Sequence, residues 1–284
     1  MEERTNVSKA ELRVALNALG IEKDSILLVH SSLKALGIIE DGAEGVISEL
    51  EKTVPDGTLV FPTLSQRNWG TVFEDWHLDR PSDVGLISET FRKQPGSLRS
   101  DNATHSVAAR GKDAEDIVSG PADKGERYGL FGDYCFGHYS PWQKMYDSRK
   151  NYGVKAYVMF WGVNMGSNTF KHFIEYRYVE ELLENIKDIQ KRAYIKSLVS
   201  HYPYTATVMD ELVWPAYSSS LFQNVLLDEG IAKKIKVGDG EIIVTDIFDM
   251  VNRTEKALRD DTENMTHALA YDWVKKALDA AKNA

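Results

Sequence analysis

The sequence predicts an α/β fold, in which helices pack against a β-sheet. Segments with the apolar spacing of amphipathic helices alternate with short apolar runs typical of buried strands, and turn residues separate them. The chain has 284 residues, of which 43% are hydrophobic and 27% charged, and this is a globular composition. Its length is sufficient for one large α/β domain or two small ones, and no repeat or long linker marks a boundary.

The first half of the chain predicts helices and strands in alternation. Ser8 and Glu11 form a capping box ahead of an amphipathic helix, and the Asp56-Gly57 pair predicts a turn. Pro95-Gly96 ends a later helix, since proline and glycine both disfavour its continuation. In order, the predicted elements after the first helix are the strand SILLVH (25–30), a helix (42–54), the strand TLVFPT (58–63), a helix (83–96), the strand THSVAA (104–109) and a helix (112–120).

The second half predicts a further set of elements around one buried strand. Ser140 followed by Pro141 is typical of a helix start. Asn168 or Thr169 is expected near the N-cap of a long helix. The elements are a short helix (140–147), the buried strand AYVMFWGV (156–163), the long helix (167–186), a polar-aromatic segment (196–222), a hairpin (234–248) and an amphipathic terminal helix.

Composition and charge narrow the classes of function. The formal net charge of −9 argues against a nucleic-acid surface, which requires clustered lysine and arginine. Cys135 is the single cysteine, so the chain can form neither an internal disulfide nor a cysteine-based zinc site. No apolar run approaches the roughly 20 residues of a membrane helix, and the N-terminal residues lack the apolar core of a signal peptide. We therefore expect a cytoplasmic protein without membrane or nucleic-acid partners.

Two segments combine histidine and hydroxyl side chains at the ends of predicted strands. In LVHSSL (28–33), His30, Ser31 and Ser32 end a strand, a position where α/β proteins gather ligands, although a turn or cap is the alternative. In LRSDNATHSVAARG (98–111), Arg99 has a guanidinium suited to a phosphate or carboxylate. His105 has the side chain of a general base, although a structural histidine is an equal alternative.

A third segment, NTFKHFIEY (168–176), combines a histidine with a carboxylate. His172 and Glu175 lie three residues apart on a predicted helix and therefore share one face. A carboxylate within hydrogen-bonding distance fixes the tautomer of an imidazole and makes it a better base. The alternative is an ordinary solvated pair. A zinc motif of the H-x-x-E-H type is excluded, because Tyr176 stands where the second histidine is needed.

These segments occur in an order that resembles the aminoglycoside 3-N-acetyltransferase family, also called the antibiotic N-acetyltransferases. No nucleophile elbow, P-loop or dinucleotide fingerprint competes with this identification. The resemblance extends over nearly the whole chain. It rests on VHSSLKALG (29–37), DGAEGVISEL (41–50), PDGTLVFPT (55–63), the region 88–111, FGHYSPWQKMYD (136–147), GVNMGSNTFKHFIEYRY (162–178) and VGDGEIIVTDIFDMV (237–251).

The resemblance implies a three-layer α/β/α fold with a mixed central sheet and an acetyl-CoA-dependent N-acetyltransferase without a metal. It implies one domain over residues 1–284, with a substrate-side subdomain around 178–230 as an open alternative. His172 and Glu175 match the family's H-x-x-E pair at the acceptor site, and His105 matches the histidine of its T-H-S motif. We expect these three residues to be catalytic, with His172 as the base and either His105 or the hydroxyls of Thr104 and Ser106 orienting groups or stabilising charge. The cleft for CoA is expected to include His30, Ser31, Ser32, Leu33, Arg99, Ser100, Thr104 and Ser106.

The acceptor pocket differs from that of the antibiotic-inactivating members. These commonly carry an aspartate shortly before the Asn-Thr pair, whereas this chain reads GVNMGSNT (162–169). The loop 65–85 is aromatic and contains Arg67. We expect Glu74, Asp75, Trp69 and Asn168 to contact the acceptor: acidic residues in the cleft would favour a polycation, and Arg67 there would favour a sugar phosphate.

Three hypotheses about function follow. The first is acetylation of a single-amine acceptor, such as an amino sugar or its nucleotide-linked form. The second is inactivation of aminoglycosides, and the third is a binding protein that keeps the fold without turnover. The sequence leaves the oligomeric state open, with a homodimer as one alternative.

Overall fold

The computed structural model describes residues 4–65, 75–120, 135–200, 219–266 and 268–282. The strands are β1 (Asn6–Val7), β2 (Ile26–Ser31), β3 (Ile38–Ile39), β4 (Thr58–Pro62), β5 (Leu98–Arg99), β6 (Val107–Gly111), β7 (Ala156–Trp161), β8 (Ala232–Val237) and β9 (Gly240–Asp246). The helices are α1 (Lys9–Leu19), α2 (Gly42–Thr53), α3 (Leu86–Lys93), α4 (Ala114–Val118), α5 (Pro141–Tyr146), α6 (Ser148–Asn151), α7 (Phe170–Asn185), α8 (Ile189–Ser200), α9 (Ser219–Asp228), α10 (Ile247–Asp260), α11 (Thr262–Met265) and α12 (Ala268–Lys282).

A seven-stranded mixed sheet forms the middle of the fold, with strand order β5-β6-β4-β2-β7-β9-β8. The central strand β2 is parallel to both neighbours, β4 and β7. The outer strands are antiparallel to their neighbours, including β6 beside β4 and β9 beside β7. A separate two-stranded parallel sheet joins β1 to β3.

The sheet is buried on both faces, which makes three layers. Alternate residues of β2 point to opposite faces: Leu28 packs with the cluster that includes α5, α7 and α10, and Leu27 with the cluster that includes α1, α2 and α3. A parallel strand covered on both faces reads as a continuous apolar run, as in ILLV. The predicted α/β/α fold with a mixed central sheet is therefore confirmed.

Local signals place most helix boundaries where the sequence predicts them. The Ser8 hydroxyl accepts a hydrogen bond from the Glu11 N–H, while the Glu11 carboxylate accepts one from the Ser8 N–H, so the capping box is confirmed. The Ser140 hydroxyl likewise caps α5 by accepting from Gln143 N–H at 3.1 Å. At α7, the Asn168 Oδ1 accepts from the Phe170 N–H at 3.0 Å.

Two expectations about secondary structure are wrong. The strand predicted to begin at Thr104 begins at Val107, because the Asn102 carbonyl side chain accepts hydrogen bonds from the N–H groups of Thr104 and His105 and holds them in a turn. The single terminal helix is instead three helices, α10, α11 and α12. Most of the polar-aromatic segment 196–222 lies outside the described residues, apart from the end of α8 and the start of α9.

Across the described ranges, none of the helices combines the length and the apolar character needed to cross a bilayer.

Candidate active site

Several of the predicted site residues lie at one edge of the sheet. The carboxyl ends of the parallel strands β4, β2 and β7 all lie at this edge. Strand β6 runs antiparallel to β4, so the turn that precedes β6 lies beside the residues that follow β4. The hydrogen bond from Thr63 N–H to Ser106 C=O, 2.8 Å long, marks this contact. The mixed sheet thereby brings segments distant in sequence to one place.

A cavity of about 330 Å³ opens at this edge, within the size range of small-molecule sites. It includes His30, Ser31, His105, Asn168 and His172, which the sequence predicts as site residues. The remaining lining residues are Pro62, Leu64, Val84, Ser88, Val163, Ser167, Thr169 and Lys171.

The His172 imidazole is paired with the Glu175 carboxylate. Nδ1 of His172 lies 2.9 Å from Oε2 of Glu175, as expected for residues three apart on one face of α7. The Glu175 side chain is only 1% exposed, whereas that of His172 is 26% exposed and lines the cavity. A buried acceptor on Nδ1 favours the tautomer in which Nε2 carries the lone pair.

His105 lies against His172 at the wall of the cavity. The two ring centroids are 5.6 Å apart in an edge-to-face arrangement. The His105 Nδ1 lies 2.9 Å from Thr104 Oγ1 and 3.5 Å from Cys135 Sγ. Its carbonyl accepts a hydrogen bond from Trp142 Nε1 at 3.1 Å, so α5 fixes the backbone of this turn. His105 is thus buried and also borders the cavity.

Burial keeps two of the cavity histidines neutral. Desolvation, together with the nearby Lys171 ammonium, lowers the pKa of His30 to about 3. Burial also lowers the pKa of His105 well below its usual 6.5, with smaller contributions from His172 and Lys171. At neutral pH both imidazoles are uncharged, so neither presents a positive charge to a ligand.

The hydroxyl groups expected near CoA occupy different positions. The Ser31 Oγ is buried, lines the cavity and has no hydrogen-bond partner. Ser100 Oγ accepts from Val107 N–H at 3.0 Å, and Ser106 Oγ donates to the Thr63 carbonyl at 2.9 Å. Neither these two residues nor Ser32, Leu33 and Thr104 line the cavity. Their contact with CoA stays a prediction, and among the hydroxyls expected near CoA that of Ser31 lines the cavity with no hydrogen-bond partner in the described residues.

The Arg99 guanidinium is surrounded by protein acceptors. Its Nη1 donates to the carbonyls of Leu78 (2.8 Å) and Arg80, and its Nη2 donates to the Thr63 carbonyl and to Ser65 Oγ (3.1 Å). Its Cζ atom lies 4.7 Å from the ring centroid of Trp76. Burial lowers its pKa to about 10, which still leaves it charged at neutral pH. These contacts attach the segment 76–82 to the sheet, and the expected contact with CoA stays a prediction.

Part of the expected acceptor wall lies outside the described residues, namely Arg67, Trp69 and Glu74. Asp75 is described and exposed, and it does not line the cavity. Asn168 does line the cavity, and its hydrogen bond to Phe170 N–H also orients the first turn of α7.

The structure adds residues that sequence reasoning missed. Lys171 and Ser88 line the cavity, and Cys135 contacts His105. The sequence indicates a site position for Lys171 through its place next to His172. No sequence pattern indicates Ser88 or Cys135 as site residues, because their positions depend on how α3 and the segment before α5 pack. In the described parts of the chain, no group of three or more histidine, cysteine, aspartate or glutamate side chains has the arrangement of a metal site.

Comparison with known proteins places these features in a family. The family model described as aminoglycoside 3-N-acetyltransferase matches residues 28–259. The chain is 30% identical over 192 residues to the SPbeta prophage-derived aminoglycoside N(3')-acetyltransferase-like protein YokD of Bacillus subtilis, covering 60% of this chain and 65% of that protein. It is 38% identical over 114 residues to aminoglycoside N(3)-acetyltransferase IV of Salmonella sp, covering 40% and 43%. The chain thus matches less than two thirds of the length of these curated relatives.

Solved structures agree in fold. The apoenzyme of the aminoglycoside acetyltransferase AAC(3)-IVa has a TM-score of 0.69 at 23% identity, covering 98% of this chain and all of that one. AAC-IIIb, solved as a binary complex with CoASH, has a TM-score of 0.65 at 19% identity, covering 90% and 97%. At these identities the similarity to solved structures concerns the fold alone. The family assignment rests on the family model, which spans most of the sequence. This chain belongs to the aminoglycoside 3-N-acetyltransferase family.

Proposed function

We propose that this protein is an acetyl-CoA-dependent N-acetyltransferase that transfers the acetyl group directly to a primary amine of a small molecule. The observation that carries the proposal is the His172–Glu175 pair, 2.9 Å apart, at the wall of a cavity. Membership of a family of N-acetyltransferases supports the reaction class.

In this mechanism His172 is the general base. Glu175 holds the Nδ1–H of His172, and Nε2 takes a proton from the acceptor amine as its nitrogen attacks the thioester carbonyl. Collapse of the tetrahedral intermediate breaks the carbon–sulfur bond, forms the amide and releases CoA as the thiol once a proton reaches the sulfur. Glu175 stabilises the imidazolium that forms in between.

His105 and Ser31 have supporting roles in this mechanism. The depressed pKa of His105 makes it a neutral polar group beside His172, suited to orienting the acceptor or stabilising the oxyanion. The Ser31 hydroxyl, which has no hydrogen-bond partner among the described residues, is suited to stabilising the same oxyanion. Cys135, the nearest thiol to His105, is 1% exposed and therefore poorly placed to receive an acetyl group, which favours direct transfer over an acetyl-enzyme.

The acceptor we propose first is an amino sugar or its nucleotide-linked form. The stretch GVNMGSNT (162–169), which contributes Val163, Ser167 and Asn168 to the cavity, contains no carboxylate. An aminoglycoside is the second candidate, favoured by similarity to the aminoglycoside N(3)-acetyltransferases of Salmonella sp. A binding protein without turnover is the third, and the intact His172–Glu175 pair disfavours it.

The test is release of CoA thiol from acetyl-CoA in the presence of three acceptor panels: aminoglycosides, amino sugars and nucleotide-linked amino sugars. Amine-dependent thiol release, with the acetylated amine identified by mass spectrometry, is the expected result. Turnover with aminoglycosides alone would replace the first acceptor with the second. Binding of CoA without turnover in any panel would leave the non-catalytic alternative.

A further inference from the structure

Lys171 contributes a positive charge to the cavity that the reaction itself does not use. It is half-buried, lies in the first turn of α7 next to His172, and lines the cavity. Its ammonium makes one long hydrogen bond, 3.4 Å, to the Gly166 carbonyl. No carboxylate of the described residues lies within ion-pairing distance of it. The charge therefore faces the cavity without a compensating anion from these parts of the protein.

The position of Lys171 is electrostatically unfavourable for the helix. The N-terminal turn of a helix carries a partial positive charge, so an ammonium there is destabilising by itself. A negative ligand would interact favourably with both the ammonium and the helix terminus. A cationic ligand would be repelled by both.

The rest of the cavity does not offset this charge. Its two buried histidines, His30 and His105, are neutral, and the Lys171 charge itself helps to lower their pKa values. Glu175 is 1% exposed, is bonded to His172 and does not line the cavity. Ser31 adds a buried hydroxyl that has no partner among the described residues, so the wall offers donors for the oxygen atoms of a ligand.

We propose that Lys171 binds an anionic group, a phosphate or a carboxylate, carried by the amine acceptor, and so selects anionic amino sugars over polycationic amines. This inference rests on the proposed function and specifies its substrate class. We assign the anionic group to the acceptor because Lys171 adjoins His172, the proposed base. The phosphates of CoA, by contrast, are separated from the reacting thioester by the whole pantetheine arm.

The experiment compares two acceptors that differ only by an anion, glucosamine and glucosamine 6-phosphate, at saturating acetyl-CoA. Wild-type protein is expected to have a kcat/KM for the phosphorylated sugar higher by roughly tenfold or more, the scale of one charge-assisted hydrogen bond. Lys171→Glu should abolish or reverse this preference, and Lys171→Met should abolish it. Lys171→Arg, which keeps the charge, should retain most of it.

Two controls separate this role from general effects. Lys150→Glu makes the same charge change on an exposed lysine of α6 and should leave the preference unchanged. The donor arm compares acetyl-CoA with S-acetylpantetheine, which lacks the CoA phosphates. A Lys171→Glu defect confined to acetyl-CoA would assign the anion to the donor and overturn the proposal, as would an equal preference for the two sugars in wild-type protein.

A second measurement keeps the inference independent of turnover. The rise in Tm produced by each sugar is measured for the wild type and the same variants. A larger rise with glucosamine 6-phosphate that disappears in Lys171→Glu but persists in Lys150→Glu supports the anion site even if neither sugar is acetylated. If none of the three acceptor panels supports turnover either, the proposed function fails while this inference stands. An identical rise with both sugars contradicts the inference alone.

Discussion

Two imidazoles lie side by side in the cavity but have different environments. His172 is 26% exposed on its side chain and has a buried carboxylate on Nδ1. His105 is 2% exposed, contacts Thr104 and Cys135, and has a strongly lowered pKa. The two histidines therefore differ in burial and in hydrogen-bond partners, and the proposed mechanism assigns the role of base to His172 because a buried carboxylate orients its imidazole.

Substitution of these residues should therefore have graded effects. His172→Ala is expected to lower kcat by roughly 10² to 10⁴-fold, the usual contribution of general acid–base catalysis, with a smaller effect on CoA affinity. Glu175→Gln should lose less, since the imidazole remains. Steady-state thiol release and calorimetric titration with CoA measure the two effects. If His105→Ala is nearly inactive while His172→Ala keeps most of its rate, the roles of the two histidines are exchanged.

Arg99 illustrates a residue type whose chemistry suits two roles. Its guanidinium can clamp a phosphate, but here it donates to carbonyls of Thr63, Leu78 and Arg80 and stacks on Trp76. A lysine cannot reproduce a planar fork of donors in several directions. The contacts therefore favour a structural role over a direct contact with CoA.

Arg99→Lys should accordingly reduce stability more than donor binding. The expected loss is roughly 2 to 4 kcal/mol in the free energy of unfolding, because the carbonyls of the buried Thr63 and of Leu78 and Arg80 lose a charged donor. Urea denaturation measures this loss, and calorimetry with CoA measures the affinity, which should change by less than about threefold. Unchanged stability combined with a much weaker affinity for CoA would favour the phosphate clamp instead.

The sequence predicted these residues to different extents. The His172–Glu175 contact follows from helical spacing, and the role of Asn168 near the helix start follows from capping chemistry. Lys171 and Cys135 could not be placed in the same way. A side chain beside a predicted site residue points into the cavity or away from it depending on tertiary packing, which spacing along one helix does not determine.

At the scale of elements, the turn 103–105 depends on a neighbouring helix. Sequence alternation predicted a strand from Thr104, but the Asn102 side chain competes for the backbone N–H groups and delays the strand to Val107. Helix α5 then fixes the turn through the hydrogen bond from Trp142 Nε1 to the His105 carbonyl. The geometry of the site thus depends on α5, which is short and capped by Ser140.

Two buried tryptophans allow a matched test of this support. Trp142→Phe removes the donor to His105, whereas Trp161→Phe removes a buried Nε1 that has no hydrogen-bond partner. Both indole side chains are fully buried, so the loss of ring volume is similar. Trp142→Phe is expected to be more destabilising by about 1 to 3 kcal/mol, the cost of an unsatisfied buried carbonyl, and to lower kcat as well. Equal destabilisation in urea titrations would show that the hydrogen bond contributes little.

At the scale of the whole molecule, the mixed sheet explains both the predictable and the unpredictable parts of the fold. The buried strands β2 and β7 are evident from continuous apolar runs, and the hairpin of β8 and β9 from its turn. The strand order could not be read in the same way. The antiparallel placement of β6 beside β4, which brings His105 to the carboxyl end of β2, depends on long-range pairing.

The same arrangement makes stability depend on pH through two buried histidines. His30 has a folded-state pKa of about 3, and that of His105 is well below 6.5, because both side chains are desolvated beside Lys171. In the unfolded chain both titrate near 6.5. Below that pH the unfolded state binds protons that the folded state does not, so the folded state loses stability as the pH falls.

Between about pH 7.5 and about pH 5, His30 is expected to lower the free energy of unfolding by about 2 kcal/mol, and His105 acts in the same direction. Some carboxylates have lowered pKa values in the folded state, such as Glu89 at about 2, and titrate near 4.5 in the unfolded chain. Their effect on the free energy of unfolding therefore falls mainly below about pH 5. Urea denaturation of the wild type and of His30→Gln at both pH values isolates one of the two contributions. The variant should lose about 2 kcal/mol less than the wild type on acidification, whatever its stability at the higher pH. An equal loss in both proteins would mean that His30 is protonated in the folded state, and that the Lys171 side of the cavity is more hydrated than its burial indicates.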